Sequence, residues 1–146
     1  MKPTAYIFDV DGTLVNTSSI IHHVLKRPKN VEEFNKAALH APAHDHVIEM
    51  AVKASIKGHR IVIVTARHQR WKMQTELWLT KFMVPYDHVY MRANDDHRPD
   101  YDVKKDILKL INEDYFVVHA VDDNPDIIRL WEENGIPTTT VEGWVG

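Results

Sequence analysis

Five short apolar runs, separated by stretches of helical periodicity, constrain this chain more than any other feature. Ala5 to Asp9 and Arg60 to Val64 read as buried strands, and His88 to Met91, Phe116 to Val121 and Thr138 to Val141 as three more. Between them, Asn30 with Glu33 three residues on reads as a cap before a helix at Phe34 to Leu39, and a longer helix runs from about Ala43 to a stop at Gly58. Gln69 to Phe82 and Val103 to Asn112 carry apolar residues at helical spacing, and Pro125 and Gly135 bracket a further helix. Strands that alternate with helices pair in parallel, in a sheet covered on both faces. The expectation is an α/β fold, a parallel five-stranded sheet between helices, in one domain spanning 1–146.

No apolar run approaches the roughly 20 residues that span a bilayer. The start at Met1-Lys2-Pro3-Thr4 lacks the features of a secretory signal, and the chain has no cysteine, so a cytoplasmic location is expected. A net charge of -3 argues against a broad electrostatic footprint for long nucleic acid, while leaving room for a local basic pocket.

In open parallel sheets, ligands bind beyond the carboxyl ends of the strands, near the switch in strand order. The unusual polar residues fall there. The first strand runs into Asp9-Val10-Asp11-Gly12, the second into Thr65-Ala66-Arg67, the third into Arg92 and the fourth into Asp122-Asp123. Acids this close repel one another unless they share a cation, a proton or a reaction. An oxygen-rich set with few carboxylates is what Mg²⁺ prefers, and no loop has the acidic spacing of a calcium cage. A phosphate beside such acids needs Lys or Arg to offset its charge. Lys104 and Lys105 both open the helix after the third strand, and position alone does not choose between them. A Thr65 hydroxyl could donate to the same phosphate. Paired histidines at His22-His23 and His44-Asp45-His46 lack the spacing and third ligand of a zinc motif. Trp71, Trp78 and Trp131 read as core, whereas Trp144 and Tyr101 are candidates for stacking on a base.

Phe8-Asp9-Val10-Asp11-Gly12-Thr13-Leu14, Val62-Ile63-Val64-Thr65, Lys104 and Val121-Asp122-Asp123-Asn124-Pro125-Asp126 resemble, in order, the four motifs of the haloacid dehalogenase (HAD) superfamily. The resemblance implies a Rossmann-like sheet, Mg²⁺ dependence and phosphoryl transfer through an aspartyl-phosphate. An Asp at position 11 is the pattern of the phosphatases and phosphomutases. Carried over, Asp9 is the nucleophile and Asp11 the general acid and base. Mg²⁺ is held by Asp9, the backbone carbonyl of Asp11 and Asp122, with Asp123 behind, and Thr65 and Lys104 bind the phosphoryl group.

A narrower likeness lies in Thr65-Ala66-Arg67 and in Tyr90 to Lys104, which resemble the phosphatase domain of T-even phage polynucleotide kinases. That likeness implies removal of 3′-phosphates from nucleic-acid ends. It makes Ala66, Arg67, Arg92 and Arg98 substrate-binding residues, sets Asp100 to orient Lys104 or Arg67, and favours Lys104 over Lys105. No Gly-x-x-x-x-Gly-Lys-Ser/Thr loop occurs in the chain. About fifty residues, Val15 to His59, separate the first two strands, more than one crossover helix needs. HAD proteins commonly place a cap there, so the resemblance implies a small helical cap at about residues 15–42, leaving a site open to a large substrate such as a phosphorylated nucleic-acid end or a nucleotide. The alternatives are a 5′-nucleotidase or small-metabolite phosphatase of the same superfamily, and a non-catalytic phosphate-binding module.

Overall fold

The computed structural model describes residues 1–146. Its strands are β1 (Thr4–Phe8), β2 (Arg60–His68), β3 (His88–Arg92), β4 (Phe116–Asp122) and β5 (Thr138–Thr140). They form one parallel sheet in the order β3-β2-β1-β4-β5. The helices are α1 (His22–Leu25), α2 (Val31–Ala38), α3 (Asp45–Ile56), α4 (Lys72–Lys81, entered through a 3₁₀ turn at Gln69–Trp71), α5 (Asp100–Asp114) and α6 (Pro125–Glu133).

The apolar runs are continuous because both faces of the sheet are buried. Ala5, Ile7, Val62 and Val64 pack against Val103, Ile107, Leu108 and Ile111 of α5 and Ile127, Leu130 and Trp131 of α6. Phe8, Ile61 and Ile63 point the other way, toward Val47, Ala51 and Ala54 of α3 and Trp78 and Leu79 of α4. At roughly 25 cal/mol per Å² of apolar surface removed from water, these two layers supply the main drive to fold. The Trp78 indole N–H donates to the Ala41 carbonyl at 2.9 Å, so its polar atom is satisfied inside the core.

The strand order locates the site. The chain adds β2 and β3 on one side of β1, then returns to lay β4 and β5 on the other, so the switch point lies between β1 and β4. Asp9 follows β1 and Asp122 ends β4.

The observed elements depart from the sequence expectation in three places. β2 continues past Val64 to His68, with a register shift between Thr65 and His68 against β3. Thr65, Ala66 and Arg67 therefore lie within an irregular strand end rather than beyond it, and such a bulge re-aims side chains beside a site. Helix α5 begins at Asp100 rather than Val103, after Pro99, whose φ of -55° and missing N–H suit a helix entrance. Asp100 and Asp102 then occupy its first turn, where the helix dipole favours acids. Finally, α1 is a single turn with no separate signal in the sequence, too short to display a period. At α2 the Asn30 side chain accepts from the Glu33 N–H at 3.1 Å, whereas the Asn30 N–H goes to the His23 carbonyl at 2.7 Å, so half of the expected capping box forms.

Candidate active site

Three carboxylates converge at the switch point. One oxygen from each of Asp9, Asp122 and Asp123 lies within 4.8 Å of the others, and all three residues are buried. The Asp9 backbone N–H donates to the Val121 carbonyl at 3.1 Å, which ties the first strand end to the fourth. Lys104, reaching in from α5, places its Nζ 2.9 Å from Asp9 Oδ1 and 2.9 Å from Asp122 Oδ2. Lys105 is exposed, so the choice left open by position falls to Lys104. The Thr13 hydroxyl donates to Asp9 Oδ2 at 3.0 Å and lies 3.3 Å from Asp123 Oδ1, and the Asn124 N–H donates to Asp122 Oδ1 at 3.0 Å.

Burial, with Asp122 beside it, holds the Asp9 carboxyl well above the ordinary carboxylate range, against the opposing pull of Lys104. The same two causes push Asp123 up to about 6. Burial alone would lower Lys104, but Asp122 and Asp9 more than compensate and raise it above the usual lysine value. One ammonium offsets one of three buried charges. The remaining pair of negative charges, all on hard oxygen atoms and opening on a cavity with room for water and phosphate oxygens, fits a divalent cation of the Mg²⁺ type.

Gly12 makes the convergence possible. Its φ of +81° is in the left-handed region, and a Cβ there would lie 2.0 Å from Asp123 Oδ2. Gly12→Ala therefore must displace Asp123 as well as strain the turn. We expect a roughly 10- to 100-fold weaker affinity of the cluster for a divalent cation, in line with losses seen when metal-site supports are removed, read from calorimetric titration with Mg²⁺.

The cluster floors an open cavity of about 520 Å³ whose walls include Asp11, Thr65, Arg67, Arg92, Arg98 and Trp144. Asp11 stands apart from the three converging acids. Arg67 grips it bidentately, Nε to Oδ2 at 2.9 Å and Nη2 to Oδ1 at 2.6 Å, while Nη1 donates to Thr75 at 3.0 Å. Burial works against the Arg67 charge, and Asp11 restores it. The buried Thr65 hydroxyl accepts from the Arg67 N–H at 3.1 Å. Arg92 is a structural hub, donating to the carbonyls of Ala66 (2.8 Å), Asp96 (3.2 Å) and Arg98 (2.6 Å). Its Nη2 also binds Asp100 Oδ1 at 2.6 Å. Asp100 thus orients Arg92, and not Lys104 or Arg67 as expected from sequence; one turn of α5 separates it from Lys104, whose ammonium is committed to Asp9 and Asp122. Arg98 is half exposed and paired with Asp96 and Asp106 at 2.8 Å each.

Thr13 and Thr75 are contributors to which the sequence assigned no role. Each supports a charged neighbour, as does Gly12, which the sequence marks as the turn immediately after the paired acids. Of the two aromatic candidates, Tyr101 has its ring covered by Arg129 at 4.7 Å and its hydroxyl on Glu133 at 2.6 Å. Trp144 stays 46% exposed at the cavity wall, open to a planar group.

A parallel sheet carrying an Asp-x-Asp turn on its central strand, a buried lysine and a facing acidic pair defines a phosphatase of the HAD type. A sequence profile of the polynucleotide kinase PNKP phosphatase domain matches residues 3–143, and the chain belongs to that family. An Autographa californica nuclear polyhedrosis virus protein described as a bifunctional polynucleotide kinase/RNA ligase is 28% identical over 93% of this chain, which spans 19% of that protein. A chain of the Pnkp1/Rnl/Hen1 RNA repair complex is similar over 96% of this chain and 42% of its own, with 27% identity and a TM-score of 0.82. The class C acid phosphatase of Bacillus anthracis shares the fold, with 16% identity and a TM-score of 0.70 over 86% of this chain and 54% of its own. The chain thus spans less than half the length of the viral protein and of the repair-complex chain that it matches. No helix is long and apolar enough to cross a membrane.

Proposed function

We propose that this chain is a Mg²⁺-dependent phosphatase that removes the 3′-phosphate from polynucleotide ends through an aspartyl-phosphate on Asp9. The observation that carries this reading is the buried Asp9, Asp122, Asp123 and Lys104 constellation, placed under an open cavity at the switch point. When bound by the Asp9 and Asp122 carboxylates and the Asp11 carbonyl, with Asp123 alongside, Mg²⁺ supplies the positive charge that lets a carboxylate approach a phosphate. Asp9 attacks phosphorus in line as the bond to the leaving oxygen breaks. Asp11 gives that oxygen its proton, then takes one from the water that attacks phosphorus and frees Asp9. Thr65 and Lys104 hold the phosphoryl oxygens. A phosphate in the cavity also competes with Asp11 for Arg67, and a shift of Arg67 toward the phosphate releases Asp11 for proton transfer.

The polynucleotide part of the reading is supported by family membership, by relatives whose names describe polynucleotide kinase and RNA repair, and by an open cavity bordered by exposed Trp144. The test is phosphate release, with and without Mg²⁺, from a 3′-phosphorylated oligonucleotide, its 5′-phosphorylated counterpart and a panel of mononucleotides and sugar phosphates. Mg²⁺-dependent preference for the 3′-end is expected. Faster turnover of mononucleotides or sugar phosphates would move the chain to the metabolite branch, and no release from any substrate would leave only phosphate binding.

The Asp123 carboxyl gives the metal a pH dependence. Its folded pKa of about 6 lies above the ordinary 3.8, so the folded metal-free chain holds the proton more tightly than the unfolded chain. The contribution of Asp123 to the stability of the metal-free chain therefore declines as pH rises from about 4 to about 6. Mg²⁺ requires the deprotonated form, so the increase in Tm on adding Mg²⁺ is expected to be larger at pH 7.5 than at pH 5. Thermal unfolding at the two pH values, with and without Mg²⁺, checks both signs; an equal Mg²⁺ shift at both would contradict the assignment.

A further inference from the structure

Lys26-Arg27-Pro28-Lys29, the loop between α1 and α2, concentrates three cations in four residues of a chain whose net charge is -3. Surface cations elsewhere are often neutralised locally: Lys36 by Glu32, Lys53 by Glu49, Arg60 by Asp87, Arg98 by Asp96 and Asp106, and Arg129 by Glu133. Lys26, Arg27 and Lys29 are all exposed, and none has a carboxylate within ion-pair distance. Three unpaired positive charges on neighbouring residues repel one another, so the cluster is costly unless an anion visits it.

The loop is also held in place. The Asn30 N–H donates to the His23 carbonyl at 2.7 Å, and the Asn30 side chain caps α2, whose Phe34 is buried in the core. Lys29 lines the same cavity as Asp9. The part of the rim formed by the segment from Arg92 to Asp100 has the reverse character. Arg92 and Arg98 are engaged there with Asp100, Asp96 and Asp106, while Asp95 and Asp102 are exposed without a cationic partner. A polyanion whose end sits at Asp9 is repelled over that rim and attracted over the loop.

Resting on the nucleic-acid reading above, we infer that the α1–α2 loop is a strand track: Lys26, Arg27 and Lys29 contact the phosphodiesters that precede the terminal phosphate, and so select polynucleotide ends over mononucleotides. Exposed Leu25 and Val31 flank the loop and offer apolar surface to sugars or bases.

The test compares the wild type with the triple variant Lys26→Ala, Arg27→Ala, Lys29→Ala, using Lys57→Ala, at the far end of α3, as a charge control. Two readouts are taken: kcat/KM on 3′-phosphorylated substrates from mononucleotide to octanucleotide, and anisotropy binding of a fluorescent octanucleotide ending in a 3′-hydroxyl. We expect the triple variant to lose at least tenfold more kcat/KM on the octanucleotide than on the mononucleotide, and to bind the hydroxyl-ended strand about tenfold more weakly. Its log Kd against log salt slope should fall by about 2, since each single-strand phosphate contact contributes roughly 0.7. An unchanged length dependence and affinity in the triple variant, with 3′-ends still the best substrate, overturns the track and leaves the phosphatase reading intact. Loop-dependent binding of the hydroxyl-ended strand, with phosphate released only from other monoesters, supports the track and overturns the 3′-end assignment.

Discussion

Asp9→Asn is expected to abolish turnover without weakening the metal-free fold. Asparagine has the shape of aspartate, its Oδ1 can still accept from Lys104, and its Nδ2 can donate to the Thr13 oxygen that now donates to Asp9 Oδ2 at 3.0 Å. What it lacks is the nucleophile. A drop of about 10⁴-fold or more in kcat, some 5 kcal/mol of barrier, is the size expected when a covalent catalyst loses its attacking atom. Stability should move the other way. Burial and Asp122 penalise the charged Asp9 and outweigh the support that Lys104 and Thr13 give it, so removing that charge relieves repulsion. A gain of about 1 kcal/mol, or a rise in Tm of about 2–4 °C, is expected for the metal-free chain. Parallel assays of phosphate release and thermal unfolding check the pair of signs, which a merely structural Asp9 would not produce.

Lys104→Met should have the opposite effect on stability and the same effect on activity. Methionine fills a similar volume, but it leaves Asp9, Asp122 and Asp123 buried with no cation among them. Breaking a buried pair by removing one partner costs about 3–5 kcal/mol, a large share of a domain's stability. The deficit should shrink as pH falls below about 6, because Asp123, already raised to about 6, takes up a proton and removes a charge. It should shrink again on adding Mg²⁺ at pH 7.5. Urea unfolding at pH 5 and 7.5, with and without Mg²⁺, reads all of these; a Lys104→Met variant as stable as wild type at pH 7.5 would mean that the ammonium is not what balances the acids.

Residues that the chain's periodicity controls were legible before the structure. The parallel sheet follows from runs such as Ile61 to Val64, which are apolar on both faces because helices cover both, and Asp9 and Asp122 meet because parallel strands bring their carboxyl ends to one edge. The less legible features depend on pairing between distant segments. Arg67 grips Asp11 across 56 positions, and Arg92 collects the Ala66 carbonyl of β2, two carbonyls of the loop after β3 and Asp100, in a loop whose conformation no period announces. The displacement of Asp100 from its expected partner has the same cause. Thr13 escaped notice because a threonine after a glycine turn is ordinary in composition and acquires meaning only when Asp123 arrives from the other half of the chain. The extension of β2 to His68 depends on a bulge against β3 that local propensity does not specify.

Covalent transfer is tested by catching the phosphoryl group on Asp9. Asp11→Asn should be mixed with Mg²⁺ and p-nitrophenyl phosphate, whose leaving group needs no proton, quenched in acid and reduced with borohydride. Asp9 alone should be converted to homoserine, because transfer to Asp9 proceeds while its hydrolysis lacks the base. Turnover of the same substrate with Asp9 unconverted and the mark on another residue, or with no covalent species at all, would contradict it.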